Sequence, residues 1–403
     1  MSSAIAITIL MAISLQDAVM RAIAHSPELR ALDASVSEAR ANAALGNAFR
    51  SEASVSTTPG YATGLPTAVL GQVPAIATVE AHRLLYDPSA RVDQIGMASQ
   101  VDAAIARLES RKREIAQNVA ELYARVAADE AQAASAGKRV AAYETIASRT
   151  QALRQEGRAR DLDVDRATLQ TANAKRVALQ ARNRLELDQL RLDRLVGEHV
   201  TPNEGVASLS LRMAEPIDPE LQRLDSRIDA LQRAVNLEHQ LFKPTIAAQI
   251  QYSRLFDRYR RYYLNFKPDD FAAGATITLP IWTGGRRAAT AARVNAQLQQ
   301  LLAQRDVRRA ELEVTLREAE ADLAQAVAET ELAERTRVIA KESLGLAEQL
   351  AKEGRGEAND VPLAQIALAD AEDEAAAAGA HRVAAETRLA ILRGDLPHAT
   401  YNQ

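Results

Sequence analysis

The chain repeats one order of short motifs, and this duplication constrains its fold more than any other feature. Pro27–Leu29 returns as Pro219–Leu221, 192 residues later. Glu156–Arg158 returns as Glu353–Arg355, 197 residues later. A repeating unit of 192 to 197 residues is far longer than a solenoid repeat. The sequence therefore predicts two fused copies of one structural half.

Composition and charge favour long helices and exclude several classes of function. Aromatic residues make up only 4% of the 403 residues, and alanine, the strongest helix former, is abundant. The formal net charge of −4, with acidic and basic residues interleaved, gives no basic surface for a nucleic acid. The chain has no cysteine, and its six histidines are not spaced as metal ligands. We therefore expect no enzyme, no cofactor and no metal site.

The repeats set the predicted domain boundaries. Ala4–Ile13 is an apolar run without a preceding Lys or Arg, which we interpret as the remnant of a signal segment covering residues 1–13. The alternative is a buried first helical turn that runs into Leu15. Repeat 1 then covers residues 14–200 and repeat 2 covers residues 218–394. A linker at 201–217 joins them, and 395–403 form a C-terminal tail.

Each repeat begins with a helix. The first is predicted from Leu15 to about Asn47, with Ser14 as its N-cap, since a serine oxygen accepts a backbone N–H there. The counterpart is predicted from Pro219 to about Leu241, with Asp218 in the capping position.

A pair of strands is predicted after each of these helices. Apolar and polar residues alternate in Thr245–Tyr252 and again in Phe271–Leu279, which indicates two strands within residues 245–279. The matching slot of repeat 1, residues 51–85, has a weaker pattern. A return strand there would cover about Ala75–Arg83, with Glu80 and His82 on the face turned away from lipid.

Aromatic residues concentrate around the second strand pair, among several arginines. This mixture is typical of a membrane interface. The alternative is an ordinary soluble hairpin with a polar loop. The interface candidates are Tyr252, Tyr259, Tyr262, Tyr263, Phe266 and Phe271.

Long helical hairpins fill the rest of each repeat, at about 89–196 and about 286–393. Apolar residues recur there at steps of three and four, which marks the narrow stripe of an antiparallel coiled coil. At 1.5 Å per residue, a helix of about 65 residues would measure on the order of 100 Å. The tips of the hairpins are predicted at about 157–163 and about 354–360.

The tips carry glycines that end one helix and aspartates that start the next. We expect Asp163 and Asp360 to act as N-caps, because a carboxylate there accepts backbone N–H bonds and faces the positive end of the helix dipole. Several copies around an axis would turn these carboxylates into an acidic ring that selects by charge.

Four strands cannot close a barrel, and an open sheet edge is not tolerated in hydrocarbon. Two chains would give eight strands, a barrel filled by side chains, whereas three chains would give twelve strands and a lumen. The predicted fold class is thus mainly α with a β-hairpin pair in two structural repeats. Three copies would form a 12-stranded β-barrel and an α-helical barrel.

The ordered motifs Ser14–Ala18, Ser26–Leu29, Leu279–Arg286 and Glu353–Arg355, the last before Asp360-Val361, resemble those of TolC-like outer-membrane efflux channels. The resemblance implies a homotrimer in the bacterial outer membrane that extends into the periplasm. It also implies partners, namely a periplasmic adaptor and an inner-membrane pump, and a passive conduit driven by that pump. The alternative is a coiled-coil scaffold or envelope structural protein.

The resemblance also assigns roles to residues at the tips. Asp360 matches an aspartate that helps to close the periplasmic entrance in the family, whereas the second such position holds Leu363. The other gate candidates would join Asp360 in a network of ion pairs: Asp163, Asp161, Arg355 and Glu357. The adaptor-contact candidates are Gly157, Arg158, Gly354 and Arg355.

Overall fold

The computed structural model describes residues 12–48, 51–57, 75–202, 218–238, 244–255, 267–279 and 285–394. The helices are α1 (Leu15–His25), α2 (Pro27–Ala48), α3 (Pro88–Gln155), α4 (Asp161–Val196), α5 (Pro219–Glu238), α6 (Arg286–Lys352) and α7 (Asp360–Leu392). The strands are β1 (Ala12–Ile13), β2 (Ser51–Ser56), β3 (Ala75–Tyr86), β4 (Thr201–Pro202), β5 (Thr245–Leu255) and β6 (Asp269–Thr278).

The first helix of repeat 1 is two helices, which corrects the prediction of one. Proline has no N–H to continue the hydrogen-bond ladder of α1, so Pro27 starts a new helix. The Ser26 hydroxyl accepts the N–H of Leu29 at 3.3 Å and caps α2. Ser14 caps α1 as predicted, because its Oγ accepts the N–H of Asp17 at 3.1 Å. In repeat 2, α5 begins at Pro219 as predicted.

A short parallel pairing of β1 with β4 was not predicted. Ala12 pairs with Thr201, and Ile13 pairs with Pro202. The Tyr123 hydroxyl donates a hydrogen bond to the Ile13 carbonyl at 2.7 Å. The end of the predicted signal remnant and the start of the predicted linker therefore lie in one small sheet.

Four strands form an antiparallel sheet in the order β2-β3-β5-β6. The central β3–β5 pairing joins the strand pairs of the two repeats, and β2 and β6 are left at the two edges. The return strand of repeat 1 is confirmed and is 12 residues long, whereas β2 has only six.

The two faces of this sheet differ in polarity. One row across the four strands consists of Val55, Val79, Tyr252 and Phe271, all of them exposed. On the opposite face, Glu52, His82, Gln249 and Gly274 form another row, and Ser54, Glu80, Gln251 and Ala272 the next. Glu80 and His82 therefore lie on the same, polar face of the sheet.

Two compact units divide the chain, and each contains parts of both repeats. The first comprises Met1–Arg30, Leu108–Pro219 and Arg309–Gln403. Its most deeply buried side chains include Tyr123, Val119, Val126 and Leu192. The second comprises Ala31–Arg107 and Glu220–Arg308, and it holds the sheet. In that unit, Leu224 and Ile228 of α5 pack against Leu301 of α6.

In the first unit, three sets of contacts join four helices in the order α4–α3–α7–α6. Thr171 of α4 donates to the Tyr143 carbonyl of α3 at 3.2 Å. Arg139 of α3 lies 2.7 Å from Asp370 of α7. The third set joins α7 to α6, where Thr330 donates to the Ala378 carbonyl at 3.2 Å. Helices α3 and α7 thus have neighbours on both sides.

Exposed large apolar side chains concentrate on α4 and α6, the two ends of this helix row. Within the described residues, α3 exposes none and α7 exposes only Leu363. On α4 they are Leu162, Leu169, Val177, Leu179, Leu187 and Leu190. On the part of α6 in this unit they are Val314, Val327, Leu332, Val338, Ile339, Leu346 and Leu350.

No helix among the described residues combines the length and the apolar composition that are needed to cross a bilayer.

Candidate gate at the helical hairpin tips

Both long helices end in the same glycine turn. Gly157 and Gly354 have φ angles of +73° and +69°, a left-handed conformation that glycine adopts at little cost. At tip 1 the Arg158 N–H donates to the Leu153 carbonyl at 2.8 Å, and at tip 2 the Arg355 N–H donates to Leu350 at 2.9 Å. Both turns are Schellman motifs. The predicted ends of α3 and α6 are confirmed to within a residue.

The tip aspartates of the two repeats make equivalent hydrogen bonds. Asp163 Oδ2 accepts the backbone N–H of Arg160 at 3.1 Å, and Asp360 Oδ2 accepts that of Glu357 at 2.7 Å. Neither aspartate is the N-cap residue itself, which corrects the prediction, since α4 begins at Asp161 and α7 at Asp360. Both nonetheless accept a backbone N–H at a helix N-terminus, which is the interaction that was expected.

This bond also sets the charge of the first tip. The backbone N–H of Arg160, followed by its side chain at 3.2 Å, holds the pKa of Asp163 below its usual range. Asp163 is therefore ionised throughout the neutral range, as a charge-selecting ring would need.

Other charged side chains of the tips pair locally. Asp161 accepts a hydrogen bond from Arg154, near the end of α3. Arg355 lies 3.5 Å from Glu353 within the second turn. Glu357 is joined to Asp360 through its backbone N–H. The predicted gate candidates therefore lie at the two tips, and each pair described here joins two residues of the same tip.

The adaptor-contact candidates are accessible. Gly157 and Gly354 are exposed, and a Cβ atom added to either would meet nothing within 4 Å. Arg158 and Arg355 are among the most exposed charged side chains of the turns. Leu363, three residues after Asp360, is also exposed.

Contacts between the repeats hold the second tip, and sequence reasoning missed them. Arg149 of α3 donates a hydrogen bond to the carbonyl of Ala358, inside the second turn. Close to both tips, Ala142 and Ile146 of α3 pack with Ala167 of α4 and Ile366 of α7. The second tip is therefore fastened to the long helix of the first repeat.

Arg139 makes the main ionic connection between α3 and α7. Its guanidinium lies 2.7 Å from Asp370 and 2.6 Å from Asp373, and Asp373 also accepts a hydrogen bond from Ser135. Lys138, which precedes Arg139 in the chain, forms an ion pair with Glu372, with 2.7 Å between its ammonium nitrogen and the carboxylate oxygen. The alternation of charges in the sequence gives no indication that these residues are partners, because they lie more than 230 positions apart.

Two of the predicted interface aromatics lie in the described sheet. Tyr252 and Phe271 face each other in register across β5 and β6, on the apolar face. The Tyr252 hydroxyl donates to Asp269 at 2.7 Å, and Arg254 lies 2.6 Å from the same carboxylate. The other four candidates lie outside the described residues: Tyr259, Tyr262, Tyr263 and Phe266.

Comparison with known proteins identifies the architecture. Residues 211–395 match the family model of outer membrane efflux proteins. Over these residues, which include repeat 2, the resemblance to TolC-like outer membrane efflux proteins is confirmed. No curated protein matches the chain in sequence.

Solved structures of outer membrane channels share its fold over nearly the whole chain. The outer membrane protein VceC of Vibrio cholerae is 18% identical, with a TM-score of 0.72 over 94% of this chain and 96% of its own. CmeC of Campylobacter jejuni is 11% identical, with a TM-score of 0.74 over 95% and 86%. MtrE of Neisseria gonorrhoeae, solved in an open state, is 16% identical, with a TM-score of 0.72 over 95% and 89%. The family model covers repeat 2, and this likeness extends the fold to repeat 1.

Proposed function

We propose that this efflux protein is one subunit of a homotrimeric channel in the bacterial outer membrane. In this arrangement the sheets of three copies form a 12-stranded barrel, and the long helices form a second barrel in the periplasm. The channel is a passive conduit and performs no chemistry on its cargo. An inner-membrane pump drives transport through it, with a periplasmic adaptor between the two.

The position of the exposed apolar side chains is the observation that carries this proposal. They lie on α4 and α6, the two ends of the row of four helices. A row with two apolar ends is completed when α4 of one copy packs against α6 of the next. The sheet has the same property, because β2 and β6 are open edges and an edge in lipid must be paired.

Cysteine cross-linking tests this assembly, because the natural chain has no cysteine to interfere. A double variant with Val55→Cys on β2 and Ala273→Cys on β6 places one thiol near each edge of the sheet. A short bifunctional thiol reagent, applied to membranes, is expected to give covalent dimers and trimers on a denaturing gel. The two single variants are the matched controls and should give no trimer. Monomers alone from the double variant would contradict the assembly.

The conduit itself is tested in planar bilayers. Purified, heat-resistant trimers should give discrete ion-conducting events at low protein concentration. A fully soluble protein without conductance would refute the channel and would favour a coiled-coil scaffold.

We further propose that the tips form the periplasmic gate, with an acidic ring that includes Asp360, Asp163 and Asp161. Arg355 and Glu357 lie in the second turn and carry opposite charges, so they would join the network of ion pairs at this opening without changing its net charge. Because the Asp360 carboxylate accepts the backbone N–H of Glu357 and so stabilises the turn, removal of this carboxylate should loosen the tip. Asp360→Ala is expected to raise the single-channel conductance, and Asp165→Ala, an exposed carboxylate further along α4, is the control. An unchanged current in Asp360→Ala would mean that closure depends on other residues.

The exposed glycine turns are the surface that we propose for the adaptor. Charge reversal at Arg158 should weaken capture of the adaptor without changing conductance in bilayers. Charge reversal at Arg355, which also belongs to the proposed gate, should weaken capture as well. Reversal at Arg166, an exposed residue of α4 outside the turns, is the control. Equal capture by all three variants would contradict this contact.

The apolar face of the sheet faces lipid in this proposal, with Tyr252 and Phe271 at a membrane interface together with Tyr259, Tyr262, Tyr263 and Phe266. Replacement of Tyr252 and Phe271 by alanine should lower the amount of trimer recovered from membranes. Replacement of Gln249 and Gln251 on the polar face should leave it unchanged, and an equal loss would refute this orientation.

A further inference from the structure

The first helical hairpin contains two buried carboxyl groups that interact with each other. Asp129 of α3 is 5% exposed, and Asp188 of α4 is 3% exposed. Burial, followed by the charge of Asp188 and opposed by nearby arginines, raises the pKa of Asp129. Its Oδ2 atom is buried without a hydrogen-bond partner within the described residues. An ionised carboxylate in this position would be costly.

The second repeat shows that the fold does not require these carboxyl groups. At the 197-residue offset, the equivalent positions are Ala326 and Ala385, which are 0% and 2% exposed. The neighbouring Leu192 has its counterpart in Leu389, and both are buried, which supports the equivalence. Two alanines therefore satisfy the packing at this level of a hairpin.

A cavity of about 380 Å³ borders Asp129, between α3, α4 and α7. It is large enough for water, so a proton can reach the carboxyl group. Charged or titratable groups face it from all three helices: Glu121, Arg125 and Asp129 from α3, Arg184 from α4, and Asp373 and His381 from α7. Among the described residues, no group of three or more acidic or histidine side chains could hold a metal ion.

Most of these groups already have partners. Arg184 donates to Gln132 at 3.1 Å. Asp373 pairs with Arg139, and His381 lies 3.1 Å from Glu329.

Two arginines contact Asp188, the second member of the pair. Arg191 lies 2.6 Å from Asp188 Oδ1, and Arg125 lies 3.8 Å from its Oδ2. This distribution of partners favours Asp188 as the ionised member of the pair. Asp129 is then the member that holds a proton.

We propose that Asp129 and Asp188 form a proton-dependent joint, which holds α3 against α4 when they share one proton and loosens when both are ionised. A carboxyl group that donates to a carboxylate makes a strong, charge-assisted hydrogen bond. Two neighbouring buried carboxylates that are both ionised repel each other.

The direction of the effect follows from the raised pKa of Asp129. The folded hairpin retains a proton that the unfolded chain has already released, so its stability falls as the pH rises from the ordinary aspartate range through the raised value. Acid therefore tightens the first hairpin. This property does not depend on the export role of the channel.

Hydrogen exchange of the purified full-length protein tests the joint. Exchange is measured in steps from about pH 4, the ordinary aspartate pKa, to pH 8 and is corrected for the intrinsic pH dependence of amide exchange. Peptides that contain Asp129 and Asp188 should be better protected at about pH 4 than at pH 8. The variant Asp129→Asn should lose this difference, because its amide donates an N–H to Asp188 at every pH.

Two results would overturn the proposal. One is a wild-type protein whose peptides show no difference between the two pH values. The other is an Asp129→Asn variant that retains the difference. If that variant fails to fold, the double variant Asp129→Ala/Asp188→Ala reproduces the second repeat, and it should fold and be insensitive to pH.

Control variants separate the joint from other titrating groups. Asp165→Asn changes an exposed carboxylate of α4 and should keep the wild-type response. His381→Gln removes the histidine that borders the same cavity, and it too should keep the response of α3 and α4. Loss of the response in His381→Gln would assign it to the histidine and refute the proposal.

Discussion

Replacement of Arg139 by methionine should weaken the attachment of α7 to α3 much more than the same replacement at Lys138. The two residues are neighbours on α3, and each pairs with an acidic residue of α7. Methionine preserves the length and apolar stem of either side chain and removes its charge. The comparison therefore isolates the effect of burial on an ion pair.

The burial of the partners sets the expected magnitudes. The side chains of Arg139 and Asp373 are each 14% exposed, so loss of the guanidinium leaves a largely buried carboxylate without its counterion. A fully buried broken pair costs about 3–5 kcal/mol. Because Ser135 still donates to Asp373, and Asp370 is mostly exposed, we expect a loss of about 2 kcal/mol for Arg139→Met. Lys138 is 58% exposed, and its loss should cost about 0.5 kcal/mol.

Urea titration of the purified protein in one detergent, followed by the helical circular dichroism signal, measures the difference. Arg139→Lys should recover part of the loss, because lysine restores the charge but not the two-pronged contact. Equal destabilisation by Arg139→Met and Lys138→Met would refute the reasoning. So would a larger effect at Lys138.

Three further predictions follow from the same contacts. Gly354→Ala should destabilise the protein by about 1 kcal/mol because φ is +69°, whereas Gly345→Ala, inside α6, should stabilise it by about 0.5–1 kcal/mol; thermal unfolding of the two variants should shift in opposite directions. Ile250→Lys, on the apolar face of the sheet, should lower trimer recovery from membranes at a cost of about 2–4 kcal/mol, whereas Gln251→Lys, on the polar face, should not. Because the pKa of Asp163 is lowered, ionised Asp163 stabilises the first turn at pH values above the ordinary aspartate range, and this stabilisation is lost as the pH falls through the lowered value. A spin label at Arg158→Cys should therefore report mobility that rises with acid and is already high in Asp163→Asn.

Local features of the fold could be predicted from the sequence because they depend on neighbouring residues. Glycine turns, helix lengths and the alternation of β5 and β6 are of this kind. The duplication extends to single hydrogen bonds, since Asp163 and Asp360 each accept the N–H three residues before them. The break at Ser26 was also local, and Pro27 was its signal.

The lateral arrangement of the helices could not be predicted in the same way. Periodicity indicates which face of a helix is apolar, but it does not name the helix that covers this face. The pairing of Arg139 with Asp370 and the bond from Arg149 to the second tip both depend on the placement of α3 beside α7. The β1–β4 pairing has two residues in each strand and leaves no pattern to detect.

The mass of the particle extracted from membranes is the most direct test of the account. Native mass spectrometry, with the detergent removed in the gas phase, separates one copy of 43.7 kDa from an assembly. Completion of the helix row and the sheet by sister subunits predicts three times this mass, about 131 kDa. A particle of 43.7 kDa under conditions that preserve the fold would contradict the account, because its apolar helix faces and sheet edges would then be stable without a partner.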